Sequence, residues 1–274
     1  SKMPRYGQAT LNHSTFHGLP TQWEAHLEAI AAAGFDAIAP DIFWLRSLES
    51  EGVDLARVAD ALRDRGLACM EISGLAIGDD ERTAAELAEN LRYARILSAE
   101  LMNTRLVVPV DGEVVRRLAE CAAAFQNRGA REGGTTIALE FSSGSGLRGV
   151  AESQALIEAA GEAGVGVTID TWHFFNHANG PDWAALEALP DALLANLQLS
   201  DGVRHAEGDF WDATMNHRRL PGEGEFELER LARHLGKRGF DGAIVLEVLS
   251  AAERARPLVD SATDCLRRAR QIFG

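Results

Sequence analysis

One unit recurs along this chain: an Ala/Leu/Glu/Arg-rich segment ends in glycine, and a short apolar run follows at once. Copies read AAAGFDAIAP at 31–40, RDRGLACMEI at 63–72, GEAGVGVTID at 161–170 and GKRGFDGAIVLE at 236–247. The glycines at 34, 66, 164 and 239 suit the left-handed residue that closes a helix before the chain enters a strand. The apolar runs are continuous rather than alternating, as parallel strands covered on both faces require. Extended over the chain, the pattern predicts strands near 6–11, 35–40, 67–72, 104–109, 135–141, 165–170, 194–199 and 242–248. It predicts helices near 21–33, 53–65, 79–99, 111–130, 150–163, 181–188, 225–238 and 257–272. Eight alternations without a Pro/Ser/Gly-rich linker imply an α/β chain folded as a single (β/α)8 barrel, one domain over residues 1–274.

Charge narrows the chemistry such a barrel could host. The net charge is −14, whereas a nucleic-acid partner needs a basic face, so none is expected. Only two lysines occur, Lys2 and Lys237, and neither falls at an expected strand end. Imine chemistry needs a desolvated lysine, so imine-forming aldolases and pyridoxal enzymes are set aside. Cys69, Cys121 and Cys265 lie far apart and read as reduced, buried small hydrophobes. No apolar run approaches the ~20 residues that span a bilayer. The segment Ser1-Lys2-Met3-Pro4-Arg5 lacks a hydrophobic signal core. The expectation is therefore a cytoplasmic protein with no membrane partner, and a homo-oligomer is compatible with it.

Active sites of such barrels lie at the C-terminal ends of the strands. Those ends carry Glu140 in TIALE, Asp170 in VGVTID, Gln198 in ANLQLSD and Glu247 in AIVLEV. Each polar residue ends or interrupts an apolar run. A lone acid there could simply cap a helix or pair with arginine. Four oxygen-bearing groups on consecutive strands, ~4.8 Å apart, would instead converge, and the three carboxylates would repel unless a cation neutralised them. An oxygen-only set favours Mg²⁺ or Mn²⁺, with Co²⁺ an allowed substitute, over a zinc site built on His or Cys. His173 follows Asp170 by three residues and can face the same cavity, as can Trp172, although Trp172, Phe174 and Phe175 also read as packing.

The longest connection, 200–225, contains Asp201, Arg204, His205, Asp209, Trp211, His217, Arg218 and Arg219. A connection of this length in a compact domain is usually a lid or a binding element, and its polar composition predicts a lid. His205 and Arg218 are its candidate substrate contacts, with a bridge from Arg218 to Glu223 the structural alternative. Gly222 and Gly224 read as a turn rather than a phosphate loop, because no strong basic residue follows them.

The second half of the chain, with Glu140, D-x-x-H at 170–173, Q-x-x-D at 198–201, HRRLPGEGEF at 217–226 and Glu247, resembles the xylose-isomerase-like barrel superfamily. The resemblance covers nearly the whole chain, from AGFDAI at 33–38 to the C-terminal helix. That superfamily contains sugar isomerases, epimerases and dehydratases. In its ketose 3-epimerase branch the matching ligands are Glu, Asp, His and Glu, and two glutamates exchange the substrate proton. Carried over, the resemblance implies Glu140 and Glu247 as acid/base and His173 and Arg218 as substrate binders. Gln198 departs from the usual histidine and is similar to bacterial 3-dehydroshikimate dehydratases, as is the R-x-x-PG-x-GEF string. Ala39 stands where relatives often carry glutamate, with Asp41 nearby.

The expected activity is a divalent-metal-dependent isomerase or epimerase of a keto-sugar or related polyol, acting by proton abstraction next to a carbonyl through an enediolate. The alternative is a lyase that removes a group β to that carbonyl, as a dehydratase does, with His173 then the catalytic base or acid in place of one glutamate. An apurinic-site nuclease would need a histidine-rich multi-metal centre and a basic face, and neither is present. A purely binding role would make the strand-end set a coincidence.

Overall fold

The computed structural model describes residues 3–128, 134–205 and 209–274. These form two compact units, one of Ser1–Met70 with Leu197–Gly274 and one of Glu71–Asn196. The first unit opens with β1 (Arg5–Ala9), two 3₁₀ turns (Thr10–His13 and Thr15–His17), α1 (Trp23–Ala33) and β2 (Ala37–Ala39). It continues through α2 (Ile42–Ser50), α3 (Leu55–Asp64) and β3 (Ala68–Cys69). The second unit runs β4 (Glu71–Ile77), α4 (Asp80–Leu97), β5 (Leu101–Leu106), α5 (Gly112–Arg128), β6 (Thr136–Glu140) and α6 (Val150–Ala160). It goes on with β7 (Val165–Asp170), α7 (Thr171–Phe175) and α8 (Trp183–Ala188), and ends inside β8 (Leu194–Leu199). The first unit then resumes with α9 (Phe210–Asn216), α10 (Leu228–Lys237), β9 (Ala243–Leu246), α11 (Ala251–Arg254) and α12 (Leu258–Phe273).

In the first unit β1 pairs in parallel with both β2 and β9, and β2 with β3. In the second, β4, β5, β6 and β7 pair in parallel in sequence order. The strand interiors explain this. Ile137, Ala138, Leu139, Val167 and Ile169 are fully buried in one unit, and Ile38, Ile244, Val245 and Leu246 in the other. Such runs suit strands sandwiched between apolar layers rather than a sheet with a wet face. The fold is that of an α/β TIM barrel.

All four glycines of the repeated unit take positive φ, with Gly34 at 98° donating its N–H to Ala31 and Ile30 carbonyls at the end of α1. The three cysteines are buried and unbridged, as expected. Among the described residues, no helix is long and apolar enough to cross a membrane.

The expected strands 165–170 and 194–199 occur with those bounds. The expected strand 67–72 is instead two, broken at Met70: β3 pairs with β2, while β4 continues to Ile77 and pairs with β5. The strand expected at 104–109 begins and ends three residues earlier. Val107 is 39% exposed and Pro109 follows, so that apolar stretch is the loop after β5. Helix α5 was expected to reach 130, and residues 129–130 lie outside the described residues. The connection 200–225, expected as a polar lid, holds the helix α9 and buries Ala213, Thr214, Met215, Arg218 and Leu220.

Candidate active site

The second unit gathers three of the expected groups. Glu140 is the last residue of β6, Asp170 the last of β7, and His173 lies in the first turn of α7. The local fold follows from Asp170 itself: its Oδ1 accepts from the Trp172 backbone N–H at 2.9 Å, capping α7 as soon as the strand ends. That sharp strand-to-helix switch swings His173 back, placing its Nε2 3.7 Å from Asp170 Oδ2 and 3.9 Å from Glu140 Oε2. One donor atom from each of the three residues lies within 4.8 Å of the others. Asp170 is wholly buried and the His173 side chain is 7% exposed.

Glu140 is half-buried, and two carboxylates and an imidazole this close fit a divalent cation. Its charge would offset the mutual repulsion of the acids, and all three side chains are ordinary metal donors. His173 thus joins the carboxylates as a candidate donor, whereas the sequence pointed to it as a substrate contact. An imidazole in reach widens the suitable ions from Mg²⁺ and Mn²⁺ to Zn²⁺ and Co²⁺.

Asn103, which the sequence reading did not single out, reaches this group from β5. Its Nδ2 donates to Glu140 Oε1 at 3.2 Å. The parallel register pairs Asn103 with Ala138, two residues before Glu140. An asparagine interrupting the run LMNTRL was the available signal, but it fell just outside the strand expected there.

Trp172, an expected wall of the substrate cavity, is fully buried within α7. Beneath the strand ends, a second polar chain is buried in this unit. Thr168 Oγ1 donates to Asn196 Oδ1 at 2.7 Å, and Asn196 Nδ2 donates to the buried Glu71 at 2.7 Å.

The first unit holds the other expected groups. Gln198 is fully buried in β8, and Glu247, 6% exposed, follows β9. The Glu247 N–H donates to the Leu199 carbonyl at 3.0 Å, which fixes the relative level of these strand ends. Arg218 is buried and does not bridge Glu223. Its Nε donates to the Thr214 carbonyl at 2.9 Å, and a terminal nitrogen lies 3.6 Å from Glu247 Oε2. Glu223 is instead held by Arg268 at 2.9 Å. His205 and Arg218, two of the expected substrate contacts, line one cavity of about 530 Å³ with His217, Arg219, Ser250 and Glu253.

Asp201 has a structural task. Its Oδ2 accepts from the Gly222 N–H at 2.9 Å, and its Oδ1 from the N–H groups of Gly202 at 2.8 Å and Phe226 at 3.1 Å. The PGEGEF turn is therefore wrapped on one carboxylate. Gly222 sits at φ 86°, and a Cβ at Gly224 would strike Asp201, so both positions need glycine. Asp41 caps α2 through the Trp44 N–H at 3.0 Å and accepts from Thr10 Oγ1 at 2.5 Å. Burial raises its proton affinity, and the Thr10, Trp44 and Ser14 hydrogen bonds oppose that rise.

Residues 27–269 match the model of the xylose isomerase-like TIM barrel family. A curated relative, the 3-dehydroshikimate dehydratase of Pseudomonas aeruginosa, is 28% identical over 259 residues. That alignment takes in 88% of this chain but 38% of the relative, so the chain spans well under half the relative's length. A solved xylose isomerase-like TIM barrel/4-hydroxyphenylpyruvate dioxygenase fusion protein superposes with TM-score 0.82 at 22% identity, over 98% of this chain and 42% of that one. The IolI protein, solved with a binding zinc atom, superposes with TM-score 0.83 at 15% identity, over 98% of both chains. With a family model matched over most of its length and the repeat, strand order and strand-end acids in agreement, the chain belongs to the xylose isomerase-like TIM barrel family.

Proposed function

We propose that this chain is a divalent-metal-dependent enzyme that removes a proton from the carbon next to a carbonyl of a small polyol or keto-sugar. The observation that carries this reading is the cluster of half-buried Glu140 with buried Asp170 and His173. In the proposed set, Glu140, Asp170, Gln198 and Glu247 hold the ion, as their strand-end positions suggest, and His173 stands within donor distance of the two unit-two acids. The ion, when bound, supplies electrophilic pull on the substrate carbonyl and so acidifies the neighbouring C–H.

The chain's own residues do the rest. Glu140 and Glu247 take and return the proton, since a carboxylate that ligates through one oxygen keeps a second for that work. Arg218, already in a buried, charge-paired setting beside Glu247, binds a substrate oxygen or carboxylate, and His205 contacts the same molecule from the cavity they share. His173 hydrogen-bonds a substrate oxygen and can pass a proton to a leaving group. Trp172 supports this wall from beneath.

Two outcomes share that first step. Loss of a hydroxyl or alkoxide β to the carbonyl is the reading we favour, because the 28%-identical relative is a dehydratase. Isomerisation or epimerisation is the second reading, favoured by the glutamate pair, which offers one carboxylate for each face of a carbanion. Incubating Mn²⁺-loaded protein with cyclic and open-chain keto-polyols in D₂O tests both. Deuterium at the α-carbon supports proton abstraction, and a growing conjugated-enone absorbance selects elimination. If Glu140→Ala catalyses the same exchange as wild type, the proposed chemistry is wrong.

A further inference from the structure

We infer that Asn103 is a positioning residue that sets which oxygen of Glu140 faces the metal. The inference rests on the metal reading above and adds a residue that reading does not use.

Asn103 lies inside β5, between fully buried Met102 and Thr104, and is itself 6% exposed. A carboxamide in that place would be desolvated at a cost without a hydrogen-bond partner. The partner it has is Glu140, through Nδ2 and Oε1 at 3.2 Å. Nothing in the strand ladder needs this side chain, because the β5–β6 pairing is a backbone register running from Leu101↔Thr136 to Thr104↔Leu139. A valine or isoleucine would serve the strand better. The amide therefore finds its use at the carboxylate.

The consequence is directional. The terminal torsion of a glutamate is broad and roughly two-fold, so the strand backbone alone does not decide which way its two oxygens point. With Oε1 held by Asn103, Oε2 is the oxygen on the side of His173, 3.9 Å from Nε2. It is the oxygen that faces the imidazole of the cluster. An amide suits this task better than a cation would, because it orients the carboxylate while leaving its full negative charge for the ion. Outer groups that orient a ligand in this way typically carry a 10- to 100-fold effect on metal affinity or activity.

Isothermal titration with Mn²⁺ alone tests the proposal on wild type, Glu140→Ala, Asn103→Ala and Asn103→Leu. The leucine variant keeps the buried volume, so a folded protein lacking the donor remains available if the alanine variant collapses. Folding is checked by circular dichroism and thermal melting. We expect both Asn103 variants to weaken Mn²⁺ binding about 10-fold or more (roughly the lower bound above), with any substrate turnover losing kcat more than KM. A packing role would lower the melting temperature yet leave the Mn²⁺ affinity of the folded protein alone. Loss of binding in Glu140→Ala with wild-type affinity in both Asn103 variants overturns the positioning role and leaves the metal reading standing. Wild type that binds no Mn²⁺, or Glu140→Ala that binds it undiminished, overturns both.

Discussion

Glu140 and Glu247 stand at equivalent strand ends but keep different company. Glu140 accepts from an amide and lies near an imidazole, whereas Glu247 has the Arg218 guanidinium 3.6 Å away. Truncating either one confounds loss of a ligand with loss of a base. Replacement by glutamine separates them, because an amide oxygen still ligates but no longer takes a proton. Glu140→Gln and Glu247→Gln are expected to retain metal by elemental analysis while turnover falls at least ~100-fold. For an elimination, one glutamate should matter far less than the other, and His173→Ala should then be as damaging as the more sensitive variant. Arg218 is a stricter case. Its Nε is committed to the Thr214 carbonyl, so its terminal nitrogens are the ones that face Glu247 and that the proposed substrate contact would use. Lysine cannot reproduce that division of donors. Both Arg218→Ala and Arg218→Lys should lower kcat/KM by about 10- to 100-fold, the worth of a hydrogen bond to a charged group. Unchanged kcat/KM in Arg218→Ala would assign that residue to packing alone.

At the scale of elements, the turn from Arg219 to Phe226 gathers two of its backbone donors on one carboxylate. Asp201 accepts three backbone N–H groups, and its own backbone exchanges hydrogen bonds of 2.8 and 2.9 Å with Arg219. In Asp201→Ala those donors lose their acceptor, and the turn should open with little change in the strands. Limited trypsinolysis reads this directly: wild type should be cut after exposed Arg204 before Arg219, and Asp201→Ala should be cut readily at both. Equal protection of Arg219 in the two proteins would show that other contacts hold the turn. The same segment shows what a sequence pattern conveys. Q-x-x-D at 198–201 and the glycines at 222 and 224 were visible as motifs, but their mutual wrapping joins residues some twenty positions apart. Strand β7 was legible to the residue because Asp170 is both its end and the cap of α7. Strand β5 was not, since Leu106-Val107-Val108 continues its apolar character into a loop where Val107 and Val110 are 39% and 44% exposed. That shift of three residues hid Asn103, whose role follows only from the register of β5 on β6. The break at Met70 was equally hidden, because LACMEI at 67–72 reads as one uninterrupted strand.

For the molecule as a whole, acid should be more damaging than its composition suggests. His26 on α1 is buried with its ring 5.9 Å from Trp44 on α2, and burial, with a smaller push from His13, lowers it from 6.5 to about 3. The folded chain thus keeps His26 neutral while the unfolded chain protonates it. Stability is lost as pH falls from 6.5 towards 3, at up to about 1.4 kcal/mol per pH unit from this one group. Buried Asp41, with its affinity for a proton raised, acts in the opposite sense and loses stability as pH rises above 3.8. Urea unfolding of His26→Phe should show a shallower acid limb between pH 6 and 4 than wild type, and parallel limbs would place the acid sensitivity elsewhere. The division of the chain has its own consequence. The second unit is one uninterrupted stretch, and Asn196 donates to Glu71, so a hydrogen bond of 2.7 Å joins its last residue to its first. The first unit instead needs β1 to find β9, at the far ends of the chain. On a ribosome, the 71–196 stretch can fold while β1, already beside β2, still waits for β9 on its other edge. That edge of β1 is then among the last to be paired, and it is the edge a chaperone would meet.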